Sequence, residues 1–206
     1  MKRYIQELVA QVLVRPSLVL LLSAAGCAPE LGRTLMVPAI PEPELVAAAD
    51  GADGAVDSVR VRVGNFTDAR PAQTLVVVDG RKVGSDGALG RTVEDAFARY
   101  LRQAGARIAV LNAPIIEGQV VDWSAHVEPG FPTSSARAIA RIKVTVRDSR
   151  AHPIYYATFS GESTAQHPML GEEEIQRLLG QAMGSAIEAA VRDEEFIAQL
   201  SKGRIG

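Results

Sequence analysis

Between Ile115 and Glu162 apolar and polar residues alternate with a period of two, and that patterning leaves the middle of this chain little choice but a β-sheet. A strand is expected over 115–127, with Val121, Trp123, Ala125 and Val127 on one face. Pro129-Gly130-Phe131-Pro132 ends it. A second strand, 138–147, alternates Ile142, Val144 and Val146 with Arg141, Lys143 and Arg147. Ser149 to Pro153 turns the chain into a third, 154–162, so these two form an antiparallel hairpin.

Around this centre the periodicity changes. Val59, Val61 and Val63 alternate with Arg60 and Arg62, a half-buried strand, and Leu75 to Val78 is a short one ending at the turn pair Asp79-Gly80. Gly84 to Gly90 reads as a flexible loop into a helix over 91–104, whose apolar face is Val93, Ala96, Phe97, Tyr100, Leu101 and Ala104. Thr92 with Asp95 has the spacing of a capping box, and Gly105 is a stop signal. Arg107 to Leu111 offers a further short strand. A helix over 172–191 carries Ile175, Leu178, Leu179, Ala182, Ala186, Ile187 and Ala190 on one face, with Glu172, Glu173 and Glu174 at its positive end. A short helical turn follows over 193–200. The fold expected is α+β: a two-layer sandwich of a mainly antiparallel, four- to five-stranded sheet and two amphipathic helices.

The N-terminus carries a different message. Lys2, Arg3 and Arg15 precede an apolar run from Ser17 to Ala25, too short to cross a bilayer, and Ala24-Ala25-Gly26 leads to Cys27, the only cysteine of 206 residues. A lone cysteine excludes an intrachain disulfide and a multi-cysteine zinc site. The segment resembles a bacterial lipoprotein signal, although Ala24 stands where leucine is commoner. The resemblance implies cleavage before Cys27 and acylation of its thiol, with several acyl chains giving a stable anchor. Ala28, rather than Asp, after the cysteine implies passage to the outer membrane. The segment before the apolar run is long and includes Glu7, so translation is expected to begin near Val14.

Three parts are therefore expected: a signal over 1–26, lipidated Cys27 with a Pro/Ala-rich linker over 27–55, and one periplasmic α+β domain over 56–206. Pro29, Pro38, Pro41 and Pro43 make the linker extended and partly stiff. The chain has a net charge of −2, and residues 1–26 carry three bases against one acid, so their removal leaves the rest more acidic. Such a balance lacks the basic face of a nucleic-acid binder and adds no electrostatic attraction to anionic lipid.

Chemistry is sparse. Gly84, Gly87 and Gly90 lack the spacing of a phosphate loop. His126, His152 and His167 lie in a strand, a turn and a loop, without the spacing of helix-borne metal ligands, so neither metal nor cofactor is expected. Ser163 and Ser185 lack a nucleophile elbow, and no catalytic residue is assigned. The least generic segment is Gly64-Asn65-Phe66-Thr67-Asp68-Ala69-Arg70-Pro71, where Asp68 and Arg70 can pair beside a proline. Its local alternative is a turn shaped by Pro71 and an Asx contact.

The lipoprotein start, the Val-x-Val strand leading to Asp68-x-Arg70, the Gly-rich run before a helix, and the ending Asp193-Glu194-Glu195-Phe196-Ile197-Ala198-Gln199-Leu200 together resemble the YajG-like lipoproteins. The stretch from Leu75 to Val83 departs from that pattern. The resemblance implies a location and a fold, since the family has no settled activity. The reading is a non-enzymatic envelope lipoprotein on the periplasmic face of the outer membrane. It would bind another envelope protein through Asn65, Phe66, Asp68 and Arg70 or through an open sheet edge. The alternatives are an accessory subunit of a transport, secretion or surface-appendage assembly, an enzyme acting on lipid or cell wall through Asp68, His126 or Glu162, and a binder of a small lipid or glycan.

Overall fold

Fourteen residues of one strand organise the sheet. In the computed structural model, which describes residues 34–43, 59–71, 74–78, 81–86 and 88–202, β6 (Ile115–Glu128) pairs along one whole edge with β7 (Ser134–Arg147), antiparallel, from Ile115 opposite Arg147 to Glu128 opposite Ser135. β7 pairs in turn with β8 (Pro153–His167), from Ser134 opposite His167 to Arg147 opposite Pro153. This is the meander that the alternation predicts, extended by several residues at the end where Ser134 meets His167.

The other edge of β6 is shared. β2 (Arg60–Asp68) lies parallel to its first half, and β3 (Thr74–Val78) lies parallel to its last part, with Val76 opposite Ala125. β2 and β3 therefore sit end to end along one long neighbour. β4 (Arg81–Asp86) is antiparallel to β3, β1 (Thr34–Met36) is parallel to β4, and the two-residue β5 (Arg107–Ile108) is parallel to the start of β2. Among the described residues four pairings are parallel and three antiparallel, in a mixed sheet of eight strands.

The expectation of four or five mainly antiparallel strands is thus corrected, and the reason is physical. β1 and β4 come from segments rich in proline or glycine, and such short strands are held by backbone hydrogen bonds that need no side-chain alternation. Gly84 belongs to β4, so the supposed loop is strand as far as Asp86. On β6 the face is also corrected. The register shifts between Val120 and Asp122, so Val120 is buried with Trp123, Ala125 and Val127, while Val121 is only partly buried. One extra residue in a strand reverses which side the residues before it face.

Among the described residues three helices, not two, complete the fold. α1 (Leu89–Gln103) packs on β2, and α2 (Glu172–Val191) packs on β7 and β8. Alanines 136, 138 and 140 with Ile142, Val144 and Val146 are buried, whereas Arg137, Arg141 and Lys143 on the alternate face are exposed. α1 begins with Ala88 as its cap and no side-chain cap bond, so Thr92 and Asp95 form no capping box. Leu89 and Gly90 are buried, so packing of the first turn sets the start. Its end is as expected: Gly105 has φ 95°, its N–H donates to Arg102 O (3.1 Å), and Ala106 N–H donates to Leu101 O (2.9 Å), a Schellman arrangement.

α3 (Glu194–Lys202) is capped by Asp193, whose Oδ1 accepts from the Phe196 N–H (2.7 Å) and the Tyr155 hydroxyl (3.0 Å). Burial, with the Asp193 carboxylate beside it, pushes the Tyr155 phenol well above its usual value. Phe196 is fully buried, its ring 6.2 Å from Phe97 and 6.3 Å from Phe159.

The signal over 1–26, Cys27 and the turn pair Asp79-Gly80 lie outside the described residues. Of the stretch expected as a linker, residues 34–43 are described. They are extended, as the prolines require, but docked. Leu35 and Ile40 are buried, and α1 side chains donate to successive carbonyls: Arg99 Nη2 to Ile40 O (3.3 Å), Tyr100 Oη to Pro41 O (3.4 Å) and Gln103 Nε2 to Pro43 O (3.0 Å). On the other side lies α2, where a Cβ on Gly180 would meet Ala39 O at 2.1 Å.

Candidate interaction site

β2 and β3 cannot both hold the central carbonyls of β6, because the chain between them must leave one strand line and begin the next. Ala69 N–H still donates to Val120 O (2.9 Å), continuing the β2 ladder by one bond. Beyond it the peptide oxygen of Trp123 faces the gap. Arg70 fills the gap: its Nη1 donates to Trp123 O (3.2 Å) and to Thr74 O at the head of β3 (3.2 Å).

Asp68 aims the guanidinium. Arg70 Nε donates to Asp68 Oδ1 (2.8 Å) and Nη2 to Oδ2 (2.9 Å), a two-pronged pair that fixes the plane of the fork. The backbone N–H of Arg70 also donates to Asp68 Oδ1 (3.2 Å), an Asx contact. The Arg70 side chain is 2% exposed and that of Asp68 28%. The hydrogen bond from Arg70 holds the Asp68 carboxyl below the usual carboxylate value, against a smaller opposing effect of burial. The same Trp123 is fully buried and donates its indole N–H to Leu179 O of α2 (2.9 Å). Thus the ion pair and the Asx contact expected of the Asp-x-Arg spacing are both present, and the pair is a brace between strands.

The four residues expected to bind a partner are divided by this geometry. Asn65 is exposed, at the register shift between Val63 and Phe66. Phe66 is buried, its ring 5.3 Å from that of Phe97 and seated over Gly118, where a Cβ would meet it at 2.1 Å. Asp68 is the brace's solvent-facing part, and Arg70 is its buried part. The surface offered there consists of Asn65, Thr67, Asp68, Ala69 and Pro71.

Elsewhere polar side chains serve nearby structure. Ser163 donates to Gln181 Oε1 (2.9 Å), joining β8 to α2. His126 and His152 are exposed beside Glu128 (3.7 Å) and Asp148 (3.4 Å), and His167 Nδ1 lies 2.9 Å from Met169 O. Glu162 is paired with Arg137 on the exposed sheet face (2.6 Å). Among the described residues no three metal-binding side chains cluster, and no helix is long and apolar enough to cross a membrane. A shallow hollow of about 360 Å³ lies where Glu42 and Pro43 meet Arg99, Arg102 and Gln103.

The sequence assigns the open sheet edge expected as the alternative surface to no particular strand; the structure shows one on β8. Among the described residues this fifteen-residue strand pairs only with β7, leaving its other edge open. Its even positions from Tyr156 to Gln166 are exposed. The polar run Thr158, Ser160, Glu162 and Thr164 marks a wet sheet face, which β7 shares although both its edges are paired, so the open edge itself leaves no signal in the sequence.

The pattern of a family described as uncharacterized lipoprotein matches residues 52–201. Among solved structures, protein XCC0632 from Xanthomonas campestris superposes with a TM-score of 0.50 at 12% identity, covering 73% of this chain and 92% of that one. A minor lipoprotein from Acinetobacter baumannii gives a TM-score of 0.42 at 12% identity, covering 68% and 94%. The first likeness, at that identity, is one of fold. No curated protein matches.

Proposed function

The chain belongs to this uncharacterized lipoprotein family, and from that premise we propose that it is a non-enzymatic protein-binding lipoprotein, anchored by acylated Cys27 on the periplasmic face of the outer membrane. In this reading residues 1–26 are removed, and helices and sheet form two layers behind a binding edge. Its partner is another envelope protein that adds an extended segment to β8.

The observation that carries the reading is the open edge of β8. A long unpaired edge presents a row of peptide donors and acceptors, and proteins that leave one exposed either blunt it or use it. Among its described side chains β8 has neither lysine nor arginine, and its single proline, Pro153, stands at its very start. The Asp68–Arg70 brace supports the arrangement from the far side of β6 by holding β2 and β3 in line.

A photo-crosslinking side chain at Thr158 or Thr164 of the lipidated protein in its own host tests this. Capture of one envelope protein from both positions, and none from the buried side of β8, is the expected result. Capture from Asn65 alone would move the surface to the brace loop, and no capture from any of these sites would overturn the binding reading. For the anchor, Cys27→Ser should shift the protein from the membrane pellet to the soluble fraction.

A further inference from the structure

Two exposed apolar side chains mark one end of the sheet. Phe131, at the tip of the β6–β7 turn, is 99% exposed, and Met169, just after β8, is 64% exposed. The pairing of Ser134 with His167 sets the turn and the β8–α2 connection side by side. Leu170 is fully buried, which pins that connection while Met169 points outward. At the opposite end, where β6 begins, Val110 and Leu111 are also exposed. Chain direction decides between the two ends.

β3 is parallel to β6, β4 is antiparallel to β3, and β1 is parallel to β4. The chain therefore enters β1 from the Phe131 end. Thr34 stands opposite Gly84, which stands opposite Thr74, about level with Trp123 of β6. Seven residue steps separate Cys27 from Thr34, a reach of at most about 25 Å. From the level of Trp123 to Glu128 is five strand steps, about 17 Å, and to Ile115, with the bulged residue of β6 adding no length, seven steps, about 24 Å. The tether covers the first distance with slack, whereas the second would take its full extension and a reversal of direction at Thr34, which is entered from the Phe131 end.

We infer that the Phe131 turn, with Met169, rests in the interface of the bilayer that holds the anchor, so that the domain stands on the membrane by this end. This rests on the reading of Cys27 as the anchor. The occupant is lipid, and the contact is apolar rather than electrostatic. Glu128 and Glu173 are exposed near it, so a zwitterionic surface suits it better than an anionic one. Aromatic side chains at the end of an anchored domain enter the boundary between headgroups and acyl chains. In this stance α1, α2 and the edge of β8 rise away from the membrane, leaving β8 open to a partner in the periplasm.

The test uses the full, acylated protein in vesicles of phosphatidylcholine with brominated acyl chains, comparing F131W with V110W. Both positions are exposed, so neither change disturbs packing, and buried Trp123 contributes the same background to each. The F131W emission should be blue-shifted and strongly quenched, and that of V110W unchanged. Flotation with the vesicles but equal, unquenched emission from both variants overturns the inference and leaves the anchor intact. Failure of the parent protein to float overturns the anchor reading and this inference with it. Protein, rather than lipid, adducts from a crosslinker at position 131 in cells would assign the tip to a partner and also overturn it.

Discussion

Arg70 donates a hydrogen bond to the peptide oxygen of Trp123, 53 residues later in the chain, and through it one side chain closes the gap between two strands that share an edge. The indole of the same Trp123 is tied to Leu179 O, so the contact runs from the brace through the sheet to α2.

Arg70→Ala should therefore destabilise the domain by about 2–3 kcal/mol, the scale of hydrogen bonds made by a charged donor to groups left unpaired. Arg70→Lys should recover less than half of the loss, because an ammonium cannot reach a carboxylate and two carbonyls as a planar fork. Urea unfolding followed by Trp123 fluorescence measures both.

Asp68 gives this brace a pH dependence. Its carboxyl is held below the usual value of 3.8, so its contribution is complete above that value and is lost as pH falls through the lower folded one. Asp68→Asn should thus cost most near neutrality, and its gap from the parent protein should narrow below about pH 4. Asp148, Glu162 and Glu174 are lowered too, so part of the acid sensitivity remains. Stability measured across the acid range decides; a gap that stays constant would show that the charge of Asp68 is not what holds Arg70.

Gly180→Ala tests the docked segment. In an unobstructed helix interior this change adds about 1 kcal/mol of stability. Here the new methyl would meet Ala39 O at 2.1 Å, and overpacking costs about 1–3 kcal/mol. A net loss of stability is expected, with faster hydrogen exchange and protease cutting over residues 38–43. A gain of 1 kcal/mol with unchanged exchange would mean that the segment does not lie on α2.

Asp193→Ala should cost about 1–2 kcal/mol, the range for removing a helix N-cap. It also leaves the Tyr155 hydroxyl without its acceptor. Asn at the same position keeps an oxygen for the Phe196 N–H and should cost less. Thermal unfolding distinguishes the two, and near-ultraviolet dichroism reports whether the ring of Phe196 stays packed.

The brace was half legible beforehand. Two residues apart beside a proline, Asp68 and Arg70 are recognisable as a pair, but the role of Arg70 depends on carbonyls at Thr74 and Trp123 that belong to other strands. Phe66 shows the same limit. An aromatic residue in a polar loop suggests a recognition surface, yet it is buried because Gly118 of β6 leaves room for its ring. The second position of a β-bulge cannot be seen in one strand's alternation, and so Val121 takes the place of Val120 in any reading by parity.

Local pattern alone was sufficient to reveal that β6, β7, β8, α1 and α2 exist, because each buries a largely regular face whose period is written in consecutive residues, the bulge of β6 excepted. The bounds of α2, Glu172–Val191, coincide with the expected helix. The docking of residues 34–43, the end-to-end alignment of β2 and β3, and the mixed direction of the sheet arose only when distant segments met. Their stability lies in backbone carbonyls matched to donors tens of residues away, and a hydrogen bond between peptide groups leaves no mark on the identity of the residues that carry it.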